Sequence, residues 1–119
     1  MTDKIVVLST CGSPQEAQRL AHALVEKRLA ACVNIVPGIR SVYHWKDAIE
    51  EEEEALLVIK TSRPLLEELR NEIQRLHSYE LPEVIALQVV DGSEAYLAWL
   101  DRELRGTGSW PNVSTRPTP

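Results

Sequence analysis

The chain has 119 residues, with 13 Lys and Arg against 18 Asp and Glu and a formal net charge of −5. That length makes one domain with a core of ordinary size, and an acidic balance disfavours nucleic acid, which asks for a basic face. No apolar run approaches the ~18 residues of a membrane span, and Met1-Thr2-Asp3-Lys4 opens no signal-peptide core, so the cytoplasm is the expected compartment.

Lys4 to Thr10 (KIVVLST) is a short β-branched run and reads as a buried central strand. A helix start follows: Ser13 at the N-cap, Pro14 at the first helical position and Glu16 at the third, a capping box. Ala17, Leu20, Ala21, Leu24 and Val25 continue at helical spacing, and the helix is expected to end near Arg28-Leu29. Cys32 to Trp45 and Ile49 to Thr61 then read as two long arms of one hairpin, with Lys46-Asp47-Ala48 at its tip and Pro37-Gly38 as a bulge or edge feature.

A fourteen-residue arm spans roughly 45 Å at ~3.3 Å per residue, too long for a domain of this size to cover. The hairpin is therefore expected to overhang. By period two, Ile39, Ser41, Tyr43 and Trp45 share one face of it, an exposed apolar strip that marks an interaction surface. The run Glu50 to Glu54 splits between the two faces and is expected as a solvated charged edge paired with Lys46, Arg40 or Lys60.

Ser62 caps a second helix with Leu65, Leu69, Ile73 and Leu76 as its buried stripe, ending around His77-Ser78. Val84 to Val90 is the last strand, and Ser93 caps a third helix marked by Tyr96, Leu97, Leu100 and Leu104. From Gly106 the composition turns to Gly, Pro, Ser and Thr. This divides the chain into a domain over 1–105 and a flexible tail over 106–119.

The order β-α-β-β-α-β-α is the split βαβ pattern: an α+β, ferredoxin-like sandwich with an extended hairpin and an extra C-terminal helix. Its sheet order is 4-1-3-2. That topology sets the end of the first strand, Ser9 to Cys11, near His77, Tyr79 and Glu80, and sends Cys32 to the opposite end, so no Cys11–Cys32 disulfide is expected. Cys11 and His77, with Glu80 as a weaker third donor, form a candidate soft-metal site of the kind that suits copper or zinc. The thiol at the helix N-terminus is expected to have a lowered pKa. No nucleophile elbow, phosphate loop or paired-carboxylate motif points to an enzyme.

Arg28-Leu29-Ala30-Ala31-Cys32-Val33-Asn34-Ile35, Pro37-Gly38-Ile39, Ser41-x-Tyr43-x-Trp45, Ile49-Glu50, Ile59-Lys60-Thr61, His77-x-Tyr79-Glu80-x-Pro82-Glu83 and Tyr96-Leu97-x-Trp99 closely resemble CutA, the divalent-cation tolerance protein family. The resemblance runs from about Ile5 to Leu104. It implies a ferredoxin-like subunit in a tight cytoplasmic homotrimer, with inter-subunit contacts through Ile39, Tyr43, Trp45 and Tyr79 and a role in copper and divalent-metal tolerance. Ser9 and Leu76 stand where some bacterial members carry a Cys and the first of two His regarded as copper ligands; His77 remains, with Cys11 two residues beyond Ser9. The trimer is also similar to the PII signalling proteins. The alternative function is therefore a PII-like module that binds a small metabolite or anion between subunits near Trp45 and Tyr79.

Overall fold

A computed structural model describes residues 2–106; the expected tail beyond Gly106 lies outside the described residues. The elements are β1 (Lys4–Cys11), α1 (Pro14–Glu26), β2 (Cys32–Trp45), β3 (Ala48–Ser62), a 3-10 turn (Arg63–Leu65), α2 (Leu66–Leu76), β4 (Ile85–Gln88) and α3 (Glu94–Glu103). One sheet runs β2-β3-β1-β4 with antiparallel neighbours throughout, the expected split βαβ order. The last strand keeps four residues of the seven expected, because only Ile85 to Leu8 through Gln88 to Ile5 find register on β1.

Period two divides the sheet into two faces. Ile5, Val7, Ser9 and Cys11 of β1 and Ala55, Leu57, Ile59 and Thr61 of β3 are buried. Against them pack Ala17, Leu20 and Leu24 of α1 and Leu69 and Ile73 of α2 in one core cluster. Trp99, read from the sequence only as part of a motif, joins this cluster with Leu100 and Leu104.

Two helix ends depart from the sequence reading. Ser13 caps α1 as expected, its Oγ accepting from the Glu16 N–H at 3.1 Å, but the Glu16 carboxylate turns to Ser78 instead of closing a capping box on Ser13. The α1 C-terminus is a Schellman turn. The Leu29 N–H donates to the Leu24 carbonyl and the Arg28 N–H to that of Val25, with Arg28 in the left-handed region at φ 57° where glycine is usual.

The register shows the overhang directly. β1 ends at Cys11 opposite Ala55, so among the described residues β3 from Ala48 to Glu54 has β2 as its sole strand partner. The subunit measures 53 × 26 × 24 Å. A bulge at Pro37-Gly38 shifts register between Val36 and Ile39. The tip is tighter than expected, with Trp45 paired to Ala48 across two residues. Lys46 and Asp47 both have positive φ, 50° and 65°, the conformation of a type I′ turn that favours Asn-Gly. Asp47→Gly is expected to raise stability by roughly 0.5–1 kcal/mol, since relief of the left-handed backbone outweighs the added unfolded-state entropy. Urea denaturation of the two chains checks this.

Candidate functional site

At the end of the subunit where β1 and α2 both finish, the chain leaves helical geometry at His77 (φ −75°, ψ 145°). This turns the imidazole inward, and its side chain is 0% exposed. The Nε2 atom lies 2.7 Å from the Thr10 carbonyl oxygen, and the Tyr79 N–H donates to Nδ1 at 2.9 Å. A carbonyl only accepts, so Nε2 carries the proton and Nδ1 is the bare nitrogen. Both are engaged.

Glu16 sits beside this ring, with Oε2 at 3.6 Å from Nδ1. The Ser78 N–H donates to Oε2 at 2.8 Å and the Ser78 hydroxyl to Oε1 at 2.9 Å. Burial pushes the Glu16 carboxyl up, but the Ser78 hydrogen bonds and the Gly12 backbone outweigh it, and its pKa falls below the ordinary value. Tyr79 leans on the His77 ring at 4.7 Å between centroids, and its hydroxyl donates to Glu54 Oε2 at 2.8 Å at the root of the hairpin. Burial, then the Glu54 hydrogen bond, hold that phenol well above its usual range. Tyr79, expected to face a ligand between subunits, thus commits its hydroxyl within its own chain.

Cys11 and His77 do lie at the same end of the subunit, but their chemistry differs from the expectation. Cys11 is fully buried, with Sγ 3.6 Å from the Ser13 carbonyl oxygen. Burial pushes its thiol pKa up and the Glu16 charge adds to this. The expected lowering by the helix N-terminus is corrected: desolvation of a thiolate wins over the helix dipole here. Glu80 is exposed, and its backbone carbonyl, not its carboxylate, takes the Gln74 side chain at 3.1 Å. Among the described residues, no group of three or more His, Cys, Asp and Glu side chains is disposed to hold a metal ion. A protonated buried thiol and an imidazole with both nitrogens occupied do not fit a resident copper ion. Cys11 and Cys32 are both free.

The second feature is the sheet face opposite α1 and α2. Register assigns to it Val6, Leu8 and Thr10 of β1, Leu56, Val58 and Lys60 of β3, Cys32, Asn34 and Val36 of β2, and Ile85 and Leu87 of β4. The helix α3 covers only the end near Lys4, through Lys4 to Asp101 and Lys60 Nζ to the Tyr96 hydroxyl at 3.4 Å. The rest stays open, with Val36, Ile85 and Leu87 exposed at 41%, 51% and 49%. The same face continues up the hairpin through Ile39, Tyr43 and Trp45, where Trp45 is 58% exposed.

The hairpin glutamates divide as expected. Arg40 of the first arm meets Glu51 at 3.3 Å and Glu53 at 3.9 Å. Tyr43 donates to Glu52, a hydrogen bond that pushes its phenol up to about 12. Lys60, expected as a further partner, lies over the Tyr96 ring instead. No described helix is long and apolar enough to cross a membrane.

Comparison with known proteins accords with this fold. The family model described as "CutA1 divalent ion tolerance protein" matches residues 5–103. The "Divalent-cation tolerance protein CutA" of Thermus thermophilus is 46% identical over 95 residues, covering 80% of this chain and 92% of its own. "Protein CutA, chloroplastic" of Arabidopsis thaliana is 46% identical over 101 residues, 85% of this chain but 56% of the plant protein, so this chain spans little more than half of that relative. The crystal structure of CutA1 from Oryza sativa superposes with a TM-score of 0.86 at 43% identity, covering 87% of this chain and 95% of that one. Extending from β1 to the end of α3, these matches establish that the chain belongs to the CutA1 divalent ion tolerance family.

Proposed function

We propose that this chain assembles as a homotrimer and serves divalent-cation tolerance as an assembly and binding protein, not as an enzyme. The observation that carries the reading is the open apolar face, which runs from Leu87 and Leu8 across Val58 and Leu56 to the overhanging strip of Ile39, Tyr43 and Trp45. A soluble monomer rarely leaves so continuous a patch uncovered, and a hairpin reaching past its own core supplies the arm that a neighbour receives. A closed ring of three identical subunits covers every copy of such a patch. Sedimentation equilibrium is expected to give about three times the 13.4 kDa subunit mass; a monomer at all concentrations overturns the reading.

In this proposal copper contact is weak. Any ion that reaches Cys11 and His77 competes with the thiol proton and with the Tyr79 N–H on Nδ1, and both lower the apparent affinity. Calorimetric titration of Cu(I) is expected to show no tight stoichiometric site, with the residual heat reduced in Cys11→Ser and His77→Ala. Tight one-to-one binding lost in both variants makes this a resident site instead; equal heats in all three chains move the ion to the Glu50–Glu54 run. We further propose a cytoplasmic location, supported by the two free cysteines, as expected of a reducing compartment.

A further inference from the structure

At the end of the subunit opposite His77, a cavity of about 210 Å³ opens between the end of β3, the 3-10 turn and the last turn of α3. Pro64, Leu65 and Leu104 form its apolar wall, and Asp3, Asp101 and Ser62 line its polar side, with Arg105 beside them. The cations here are already paired. Lys4 Nζ meets Asp3 Oδ1 at 2.6 Å and also Asp101, and Arg105 meets Glu68. Asp3 and Asp101 thus share one ammonium, that of Lys4, while the Arg105 guanidinium is engaged by Glu68.

Ser62 supplies the second observation. It is 6% exposed, and its Oγ is buried with no hydrogen-bond partner among the described residues. Ser62 stands at the N-cap of the 3-10 turn yet makes no side-chain cap bond, and Pro64 at the second position removes one of the two N–H groups such a cap can accept from. A buried hydroxyl without a partner is rare and points to a missing polar group.

We propose that this cavity binds a small organic monocation: a protonated primary amine on a compact aliphatic or aromatic body. The ammonium faces Asp3 and Asp101, the two carboxylates that share the single Lys4 ammonium. The carbon body lies on Pro64, Leu65 and Leu104. The Ser62 hydroxyl, turned between staggered wells, accepts one ammonium N–H. The volume suits the size, since a cavity of ~150 Å³ already takes benzene.

The test uses the full-length chain and benzylamine as the probe, followed by calorimetry and by amide chemical shifts. Saturable binding is expected, with shifts centred on Leu65 and Leu104. Neutral benzyl alcohol and anionic benzoate are expected to bind at least about tenfold more weakly, because they bring no positive charge to Asp3 and Asp101. Asp3→Asn and Ser62→Ala should each weaken benzylamine about fivefold. Neither variant threatens the fold: the Asp3 side chain is 55% exposed and Ser62 Oγ holds nothing in place. No saturable binding, equal binding of benzyl alcohol, or unchanged affinity in both variants overturns the proposal.

Discussion

Val58→Asp is expected to convert the proposed trimer into a folded monomer of about 13.4 kDa. Val58 lies on the open face, opposite Leu8 of β1 and Asn34 of β2. It is only half-buried in the isolated subunit, so a carboxylate there keeps contact with water and the helix-covered core is untouched. In an assembly that packs this face, the same carboxylate is stripped of water with no cation opposite it. That costs several kcal/mol per subunit, and a closed trimer incurs it three times over. Sedimentation equilibrium reads the mass and circular dichroism reads the fold. A Val58→Asp protein that stays trimeric places the interface elsewhere on the surface. One that unfolds shows that β3 needs Val58 for its own core.

The same face shows how far the sequence could be read. The helical stripes and the two long arms follow from periodicity, and the structure returns the first arm with the expected bounds, Cys32–Trp45. Read from the sequence, Lys4 to Thr10 is a buried central strand because its run is short, apolar and β-branched. The structure separates the two parities. Ile5 and Val7 meet helices, while Val6 and Leu8 meet none of the described helices so closely that they are buried. A two-layer sandwich covers one face only, so apolar residues of the other parity are themselves the signature of a further layer supplied from outside. That signal was present in KIVVLST and ALLVIK and is separable from core patterning only once the helices are known to share a face.

The site at His77 was legible in place but not in chemistry. Topology brings Thr10 and His77 together across 67 residues, as strand order alone requires. Protonation and tautomer depend on partners that no spacing encodes: the Thr10 carbonyl at Nε2, the Tyr79 N–H at Nδ1, and a glutamate from the first turn of α1. Glu16 was read as a local cap because Ser-x-x-Glu is a local motif. Burial against Ser78 and His77 is a tertiary outcome, and it turns the carboxylate away from its own helix start toward a segment 62 residues on.

That displacement gives Glu16→Ala a larger effect on the stability of the fold than Asp47→Gly. The wild-type carboxylate accepts the Ser78 N–H and hydroxyl, and removing it leaves a part-buried backbone N–H without its acceptor. Hydrogen bonds to a charged group contribute about 1.5–3 kcal/mol each, with further cost for an orphaned donor, and water entering the gap recovers part of this. A loss of about 2–4 kcal/mol is expected at pH 7. Glu16→Gln, which keeps one acceptor oxygen but presents an NH₂ to two donors, should fall between. The effect has a direction in pH. The folded pKa of Glu16 lies below the ordinary glutamate value of 4.5, so its charge contributes stability that is fully present above about 4.5 and is lost as pH falls through the folded pKa. Urea denaturation of wild type and Glu16→Ala should therefore differ most near neutrality and converge as the solution is acidified below pH ~4. Amide exchange at Ser78 and Tyr79 should quicken in the variant, because the turn that holds His77 loses its anchor on α1. A stability gap that is constant from pH 7 down to pH 3, or that widens on acidification, shows that Glu16 acts there by packing and not by its charge.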